Sequence, residues 1–350
     1  MRTLVVGGTG FIGEALCREL DRRGDDVTAL ARDPETAALP ASVDRVAGDV
    51  TDYDAIEPAF EAQDAVVNLV ALSPLFRPRG GEEMHFSVHR DGTEHVVRAA
   101  EAHGVDRLLQ MSALGADPDG DTAYLEAKGL AEAAVRDSEL TWTIFRPSVV
   151  FGDGGEFLPY TRRLAPPYLT PLPGGGETRF QPIWVGDLVP MLADALAGDA
   201  PATDRETTGA DDAATARFDG DLEPAVTPVD DVGDATGEDP HAGRTYDLGG
   251  PAAVTLAEVA ALAHAADGKP VDVVPIPMPV AKIGLASLDL VPAGVLDAIP
   301  GVPRMGSNQY RSLRIDNTVD DNDVDAFGVE PPELTTVPEY LDVDPDAAEP

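Results

Sequence analysis

The stretch Thr3–Arg23, TLVVGGTGFIGEALCRELDRR, decides how the chain is read. Four mostly apolar residues run into a cluster of glycines, and the glycines run into a helical pattern. Leu16, Cys17 and Leu20 fall at the three- and four-residue spacing of a helix that buries one face. Gly7 allows a tight turn, Gly10 lets backbone amides approach a pyrophosphate, and Gly13 lets the helix pack closely on the sheet. The amides of Thr9, Phe11 and Ile12 would then face an anion at a helix N-terminus, where partial positive charge gathers. A strand before and a helix after are what lift a short glycine motif above chance. The turn therefore predicts dinucleotide binding.

Working outward, the first 150 residues keep this alternation. Strands are predicted at Thr3–Val6, Val27–Ala31, Val43–Ala47, Ala65–Val70, Arg107–Met111 and Thr141–Phe145. Helices are predicted at Phe11–Arg23, Asp52–Glu61, Glu82–His103 and Thr122–Asp137. The strands are nearly all apolar, as in a parallel sheet covered on both faces. The fold class is α/β, a doubly wound parallel sheet with helices on both faces. Past Phe145 the pattern loosens: Phe151–Gly176 reads as loop with a short helix, Gln181–Val185 as strand and Asp187–Ala197 as helix. Thr245–Leu248 and Val271–Val274 read as strands, and Thr255–Asp267 as a helix capped by Thr255 and Glu258. The expected organisation is a dinucleotide domain over 1–150, with strands near 180–185 and 245–248 returning to it. Residues 151–180 and 249–335 form a smaller capping region.

Composition bounds the function. The 350 residues carry 63 acids against 25 basic groups, a net charge of −38. That argues against nucleic acid and against an anionic membrane surface, both of which want a basic patch. Only Lys128, Lys269 and Lys282 are lysines. An acidic excess with so little lysine reads as adaptation to high internal salt, where the Debye length is about 3 Å and repulsion is screened. Asp199–Pro240 holds 13 acids and two arginines and reads as a disordered insertion, since it cannot bury enough apolar surface to offset its ordering entropy. Residues 341–350 read as a disordered tail. The apolar stretches Val273–Gly284 and Leu290–Val302 are too short and broken to span a bilayer. One cysteine, Cys17, excludes an internal disulfide. A soluble cytoplasmic chain without a signal peptide is expected.

Other strand ends carry candidate groups. Arg32 follows the second strand, where an arginine suits a 2′-phosphate, so NADP is preferred; the neighbouring Asp33 would suit NAD. Asp49 and Val50, after the third strand, are placed for the adenine. Asn68, Val70 and Ala71 end the fourth strand beside the expected ribose and pyrophosphate. Ser112 ends the fifth strand, and Tyr124 and Lys128 share a helix face at i and i+4. Chance gives roughly 0.06 such Tyr-x-x-x-Lys pairs in this composition, so the pair is informative. An adjacent ammonium should lower the phenol toward neutrality, making Tyr124 an acid/base group and Ser112 a substrate-orienting one. The histidines show no metal-ligand spacing, and His85, His89, His95 and His103 read as solvated or packed groups.

Together GGTGFIG, Gly48-Asp49, Ser112, Tyr124 and Lys128 resemble the extended and atypical short-chain dehydrogenase/reductases, the NAD-dependent epimerase/dehydratase-like proteins. The segments YLEAKGLAEAAVRDSELTWTIFRPSVVFGDGGEFL (Tyr124–Leu158), FQPIWVGDL (Phe180–Leu188), YDLGGPAAVTL (Tyr246–Leu256) and Tyr310–Leu334 are similar to one subgroup. It contains the NAD(P)H-binding accessory subunit of respiratory complex I. The resemblance implies a Rossmann domain, a split C-terminal region capping a substrate cleft, and Pro147, Ser148 and Val149 lining the nicotinamide side. It also implies two functions. One is an NADP-dependent oxidoreductase or epimerase, monomeric or homodimeric, acting on a small molecule that the sequence does not name. The other is a non-catalytic nucleotide-binding subunit of a membrane-associated respiratory complex, held at the inner face of the membrane. In that subgroup the usual catalytic residues are often incomplete, whereas this chain keeps Ser112, Tyr124 and Lys128 in order.

Overall fold

The apolar runs of the N-terminal half become strands, largely buried except at the edge strand Asp44–Ala47. A computed structural model describes residues 1–76, 78–199, 239–282 and 315–345. The chain runs β1 (Arg2–Val6), α1 (Phe11–Arg23), β2 (Asp26–Ala31), β3 (Asp44–Ala47), α2 (Tyr53–Ile56) and β4 (Ala65–Asn68). It continues through α3 (Glu83–His85), a π-helical turn (Phe86–Asp91), α4 (Gly92–His103), β5 (Arg107–Met111), α5 (Ala123–Arg136) and β6 (Thr141–Pro147). Next come β7 (Val150–Phe151), α6 (Phe157–Leu164), β8 (Tyr168–Pro173), β9 (Arg179–Phe180), β10 (Ile183–Trp184) and α7 (Val185–Ala197). The last labelled elements are β11 (Arg244–Leu248), β12 (Val254–Thr255), α8 (Leu256–Ala265) and β13 (Val271–Ile276).

Seven strands form one sheet in the order β3-β2-β1-β4-β5-β6-β11, and every pairing is parallel. The order reverses between β1 and β4, where ligands of such sheets bind outside the carboxyl strand ends. Alternation sorts the core into two layers. Val5, Leu16, Leu20, Phe145, Leu188 and Leu192 fill the face under α1 and α7. Leu4, Val6, Val96, Leu108, Val135 and Ile144 fill the face under α4 and α5. Each fully buried leucine contributes about 1.5–3 kcal/mol, so the two layers anchor the sheet.

Several expectations on organisation change. Ile183–Trp184 pairs with β7 rather than returning to the sheet; the chain has already turned off the sheet after Ser148 when the two segments meet. Arg244–Leu248 does lie in the sheet, on β6. Asp323–Phe327, placed by sequence in the capping region, packs on the sheet instead: the Phe327 ring stacks on His241 with centroids 5.0 Å apart and contacts Phe145 and Tyr246. Tyr168–Pro173, read as loop because of its prolines, pairs in parallel with Val271–Ile276. A two-stranded pair is all edge, where a proline need not donate to a neighbour.

Outside the main sheet, Phe151, Phe157, Leu158, Val259, Leu262 and Val337 make a separate small core. Thr255 and Glu258 form the expected capping box on α8. Leu341 and Val343, expected in a disordered tail, pack against that small core, and Tyr340 donates to Asp153 at 2.7 Å. Residues 346–350, the insertion from 200 to 238 and the apolar run from 283 to 302 lie outside the described residues. No helix among the described residues is long and apolar enough to cross a membrane.

Candidate functional site

The glycine turn is built as a cradle. Gly7 has φ +87°, a conformation that favours glycine. A Cβ at Gly13 would lie 2.2 Å from the Gly7 carbonyl oxygen and 2.8 Å from Gly8 Cα, so only glycine lets α1 come this close. The Gly10 amide turns back onto the Gly7 carbonyl at 2.9 Å, and no side chain caps α1. The first-turn amides of Phe11, Ile12 and Gly13 make no hydrogen bond among the described residues. Such amides, with the helix dipole behind them, suit a pyrophosphate. Thr9 lies in the same turn. Gly7 also abuts the backbone of Leu69 and Val70, which brings the end of β4, including Ala71, to the rim of the cradle.

The neighbouring strand ends differ in what they have left to offer. Arg32 is exposed and forms no ion pair among the described residues. Asp49 accepts from the Thr51 amide at 3.0 Å and the Thr51 hydroxyl at 2.8 Å, so one of its oxygens caps the following turn. Val50 is buried, and its carbonyl meets His95 Nδ1 at 2.7 Å. Asn68 departs most from expectation. Its amide donates to Thr93 Oγ1 at 3.1 Å and Gln110 Oε1 at 2.9 Å, and its oxygen accepts from Val70. The side chain is used inside the core, so β4 presents backbone and Val70 to the cleft rather than an amide.

Ser112 sits at the carboxyl end of β5, its amide held by the Phe145 carbonyl at 2.7 Å. Its hydroxyl is buried and has no hydrogen-bond partner among the described residues. Thr122 caps α5 by accepting from the Leu125 amide, which fixes the helix carrying Tyr124 and Lys128. Lys128 is 1% exposed, and its ammonium donates to the Met111 carbonyl at 2.8 Å. Burial lowers its pKa to about 8, opposed by the charge of Glu132. The expected lowering of the Tyr124 phenol does not occur: burial pushes it above its ordinary value. The ammonium is turned into the carbonyl preceding Ser112, and apolar and aromatic groups surround the ring. The Tyr124 hydroxyl itself makes no hydrogen bond among the described residues.

Sequence reading missed what surrounds that ring. His85 and His89 are buried, not solvated, and stack on each other with centroids 5.6 Å apart. Both meet Tyr124 edge-on, at 5.7 and 5.4 Å. A Tyr-to-His contact across two helices leaves no spacing signal; only the i, i+4 histidine pair is visible in the sequence.

Below the cleft, Arg146 donates to Glu132 at 2.7 and 2.5 Å, clamping β6 to α5. Glu132 is 1% exposed, so the ion pair is a buried one. Pro147 ends β6, and the Ser148 hydroxyl is engaged with Asn317, 2.6 Å from its carbonyl and 2.7 Å from Oδ1. Ser148 therefore ties in the C-terminal segment rather than offering a free hydroxyl to a nicotinamide, and the Val149 carbonyl accepts from Ile183. No group of three or more His, Cys, Asp or Glu among the described residues could hold a metal ion.

A glycine cradle, helix amides without partners among the described residues and a buried ammonium with N–H groups to spare fit a dinucleotide, and comparison with known proteins agrees. Residues 7–158 match a family model described as NAD(P)H-binding. The architecture and this match define an NAD(P)-binding α/β protein. The chain belongs to this NAD(P)H-binding family, and its fold is that of the epimerase/dehydratase-like short-chain dehydrogenase/reductases. It is 31% identical over 239 residues to the 3-diazoavenalumate denitrifying reductase of a Streptomyces species, covering 60% of this chain and 74% of that protein. It is 27% identical over 331 residues to the mitochondrial NADH dehydrogenase [ubiquinone] 1 alpha subcomplex subunit 9 of Arabidopsis thaliana, covering 91% of this chain and 71% of that one. The UDP-glucose 4-epimerase of Thermus thermophilus, solved with NAD, shares the fold with a TM-score of 0.58 and 20% identity, over 97% of this chain and 99% of that one.

Proposed function

We propose that this protein is an NADP-dependent oxidoreductase or epimerase. The observation that carries the reading is the meeting at the end of β5. Lys128 is bonded to the residue before Ser112, and Tyr124 lies one turn away with a free hydroxyl. The nicotinamide, when bound, supplies or takes a hydride. Tyr124 moves the matching proton. With its phenol raised, Tyr124 is protonated at neutral pH, which favours proton donation to a developing alkoxide, the reductive direction. Lys128 keeps two N–H groups for ribose hydroxyls while its third holds the Met111 carbonyl. Ser112 orients the substrate oxygen. Thr9, Gly10, Phe11, Ile12 and Gly13 hold the pyrophosphate, and Arg32 receives the 2′-phosphate. Residues 151–180 and much of 249–282 cover the substrate. The chain acts in the cytoplasm.

A second reading is a nucleotide-binding subunit of a respiratory complex. Likeness to such a subunit over 91% of the chain favours it, as does the Ser112 hydroxyl, enclosed without a partner. The test is to purify the protein in high salt and follow NADPH oxidation with panels of aldehydes, ketones, quinones and nucleotide sugars. Turnover that falls about a hundredfold or more in Tyr124→Phe, with NADPH binding kept, supports the enzyme. Tight NADPH binding with no turnover, and copurification with dehydrogenase subunits, supports the accessory role.

A further inference from the structure

The π-helical turn Phe86–Asp91 lies between α3 and α4, and such turns are uncommon and recur at functional sites. It carries His89, with His85 one turn earlier on α3. The two side chains are 1% and 3% exposed. His89 has two attachments. Its Nε2 accepts from the Leu72 amide at 3.3 Å, in the loop that follows β4. Its ring meets the Tyr124 ring at 89°, while the other side of the contact is braced by the His85 stack at 15°.

Packing alone does not explain this choice of residues. The Nδ1 atoms of both histidines are buried without a partner among the described residues. An unsatisfied buried polar atom is costly, and a phenylalanine or leucine in the same space would avoid that cost. Since Nε2 of His89 accepts, the neutral ring carries its hydrogen on Nδ1. The ring is thus fixed in tautomer and orientation by the loop that borders the cleft.

We propose that His89 is a positioning residue for Tyr124: anchored to Leu72, it holds the phenol ring in place and couples the β4 loop to the Tyr124–Lys128 face of α5. His85 stacks on it and meets the same Tyr124 ring edge-on. The proposal rests on the reading of Tyr124 as the proton-transferring group, but its test does not depend on turnover alone.

The full chain is labelled with fluorotyrosine, and the Tyr124 resonance is assigned by its loss in Tyr124→Phe. His89→Phe keeps a ring and removes the Leu72 acceptor; His89→Gln restores an acceptor near the Nε2 position. His103→Gln, at a half-buried contact with Glu57 away from the Tyr124 ring, is the control. In His89→Phe the Tyr124 resonance should shift and broaden, kcat should fall about tenfold or more with a smaller change in KM, and NADPH affinity should stay. His89→Gln should recover most of both signals, and the control should change neither. If His89→Phe does not fold, His85→Phe should give a smaller shift of the same resonance. An unmoved Tyr124 resonance in these variants overturns the proposal. If the native protein binds NADPH but turns over nothing, the catalytic reading fails while the resonance still decides whether His89 places Tyr124.

Discussion

The two flanks of the sheet at its switch point solve different problems. On the β1–β2 flank the site is made of backbone: Gly7, Gly10 and Gly13, and amides that no side chain reaches. On the β4–β6 flank it is made of side chains, and most are already committed. Asn68 holds Thr93 and Gln110, Ser148 holds Asn317, Lys128 holds Met111, and Glu132 holds Arg146. A backbone site is open whenever its glycines are present. A side-chain site works only through the atoms left over once the fold has taken its share, here the Tyr124 hydroxyl and the spare N–H groups of Lys128.

The sharpest way to break the backbone flank is Gly13→Ala. One methyl placed 2.2 Å from the Gly7 carbonyl oxygen must push α1 off the turn. Overpacking costs about 1–3 kcal/mol and more where backbone is met, so thermal unfolding should move down by several degrees. NADPH binding, followed by fluorescence titration, should be lost. Retained affinity would mean the amides of α1 are not the pyrophosphate site.

The difference between the flanks also explains what the sequence could convey. Thr3–Arg23 states its geometry in residue types, because φ +87° at Gly7 favours glycine and the contact at Gly13 leaves no room for a Cβ. α1 accordingly spans Phe11–Arg23 as read from apolar spacing. Tyr124 and Lys128 are visible as an i, i+4 pair, but their pKa shifts follow from burial, which packing against distant parts of the chain imposes. Lys128 faces Met111, and Tyr124 faces His85 and His89. Asn68 and Ser148 illustrate the same limit. Their types and positions suit a cofactor, yet long-range hydrogen bonds use those side chains elsewhere. Tyr168–Pro173 stays hidden because its prolines read as turn, and only the arrival of Val271–Ile276 makes it a strand.

The side-chain flank can be sharpened by pH. Lys128 loses its proton near pH 8 in the free protein, because burial disfavours the charged form. An ammonium that helps hold the nucleotide is then fully present below pH 8 and lost as pH rises through it. NADPH affinity should therefore fall several-fold between about pH 7 and pH 9. In Lys128→Met the affinity should be lower and flat over that window. The stability sign runs the other way. A lysine whose folded pKa lies below its unfolded value leaves the unfolded chain holding more protons between about pH 8 and 10.5, so stability from this group rises with pH there.

Arg32 asks whether the backbone flank also needs a side chain for selectivity. It is exposed and without an ion pair among the described residues, with Asp33 beside it. A charge-assisted bond to a phosphate contributes about 1.5–3 kcal/mol, so Arg32→Ala should weaken NADPH about tenfold and leave NADH unchanged. Tighter binding of NADH than NADPH by the native protein, lost in Asp33→Ala, would reverse the assignment.

The smallest effect is expected from the largest excision. The chain leaves the described region at Asp199 and returns at Asp239, and the two ends are pinned together. His241 Nε2 donates to the Asp199 carbonyl at 2.9 Å, its Nδ1 accepts from Tyr246 at 2.8 Å, and Arg107 pairs with Asp239 at 2.6 Å. Arg107 opens β5, so this clamp stands at the amino ends of the strands, whereas Ser112 and the glycine turn stand at the carboxyl ends. Replacing residues 200–238 with a few glycines leaves the clamp intact, and shortening the connection changes its closure entropy by only about 2 kcal/mol. NADPH affinity should stay within about twofold and unfolding within a few degrees. The acids removed serve solvation on this reading, so the variant should precipitate at a lower salt concentration than the native chain. A marked loss of NADPH affinity would instead mean that the acidic segment acts on the site from the far end of the sheet.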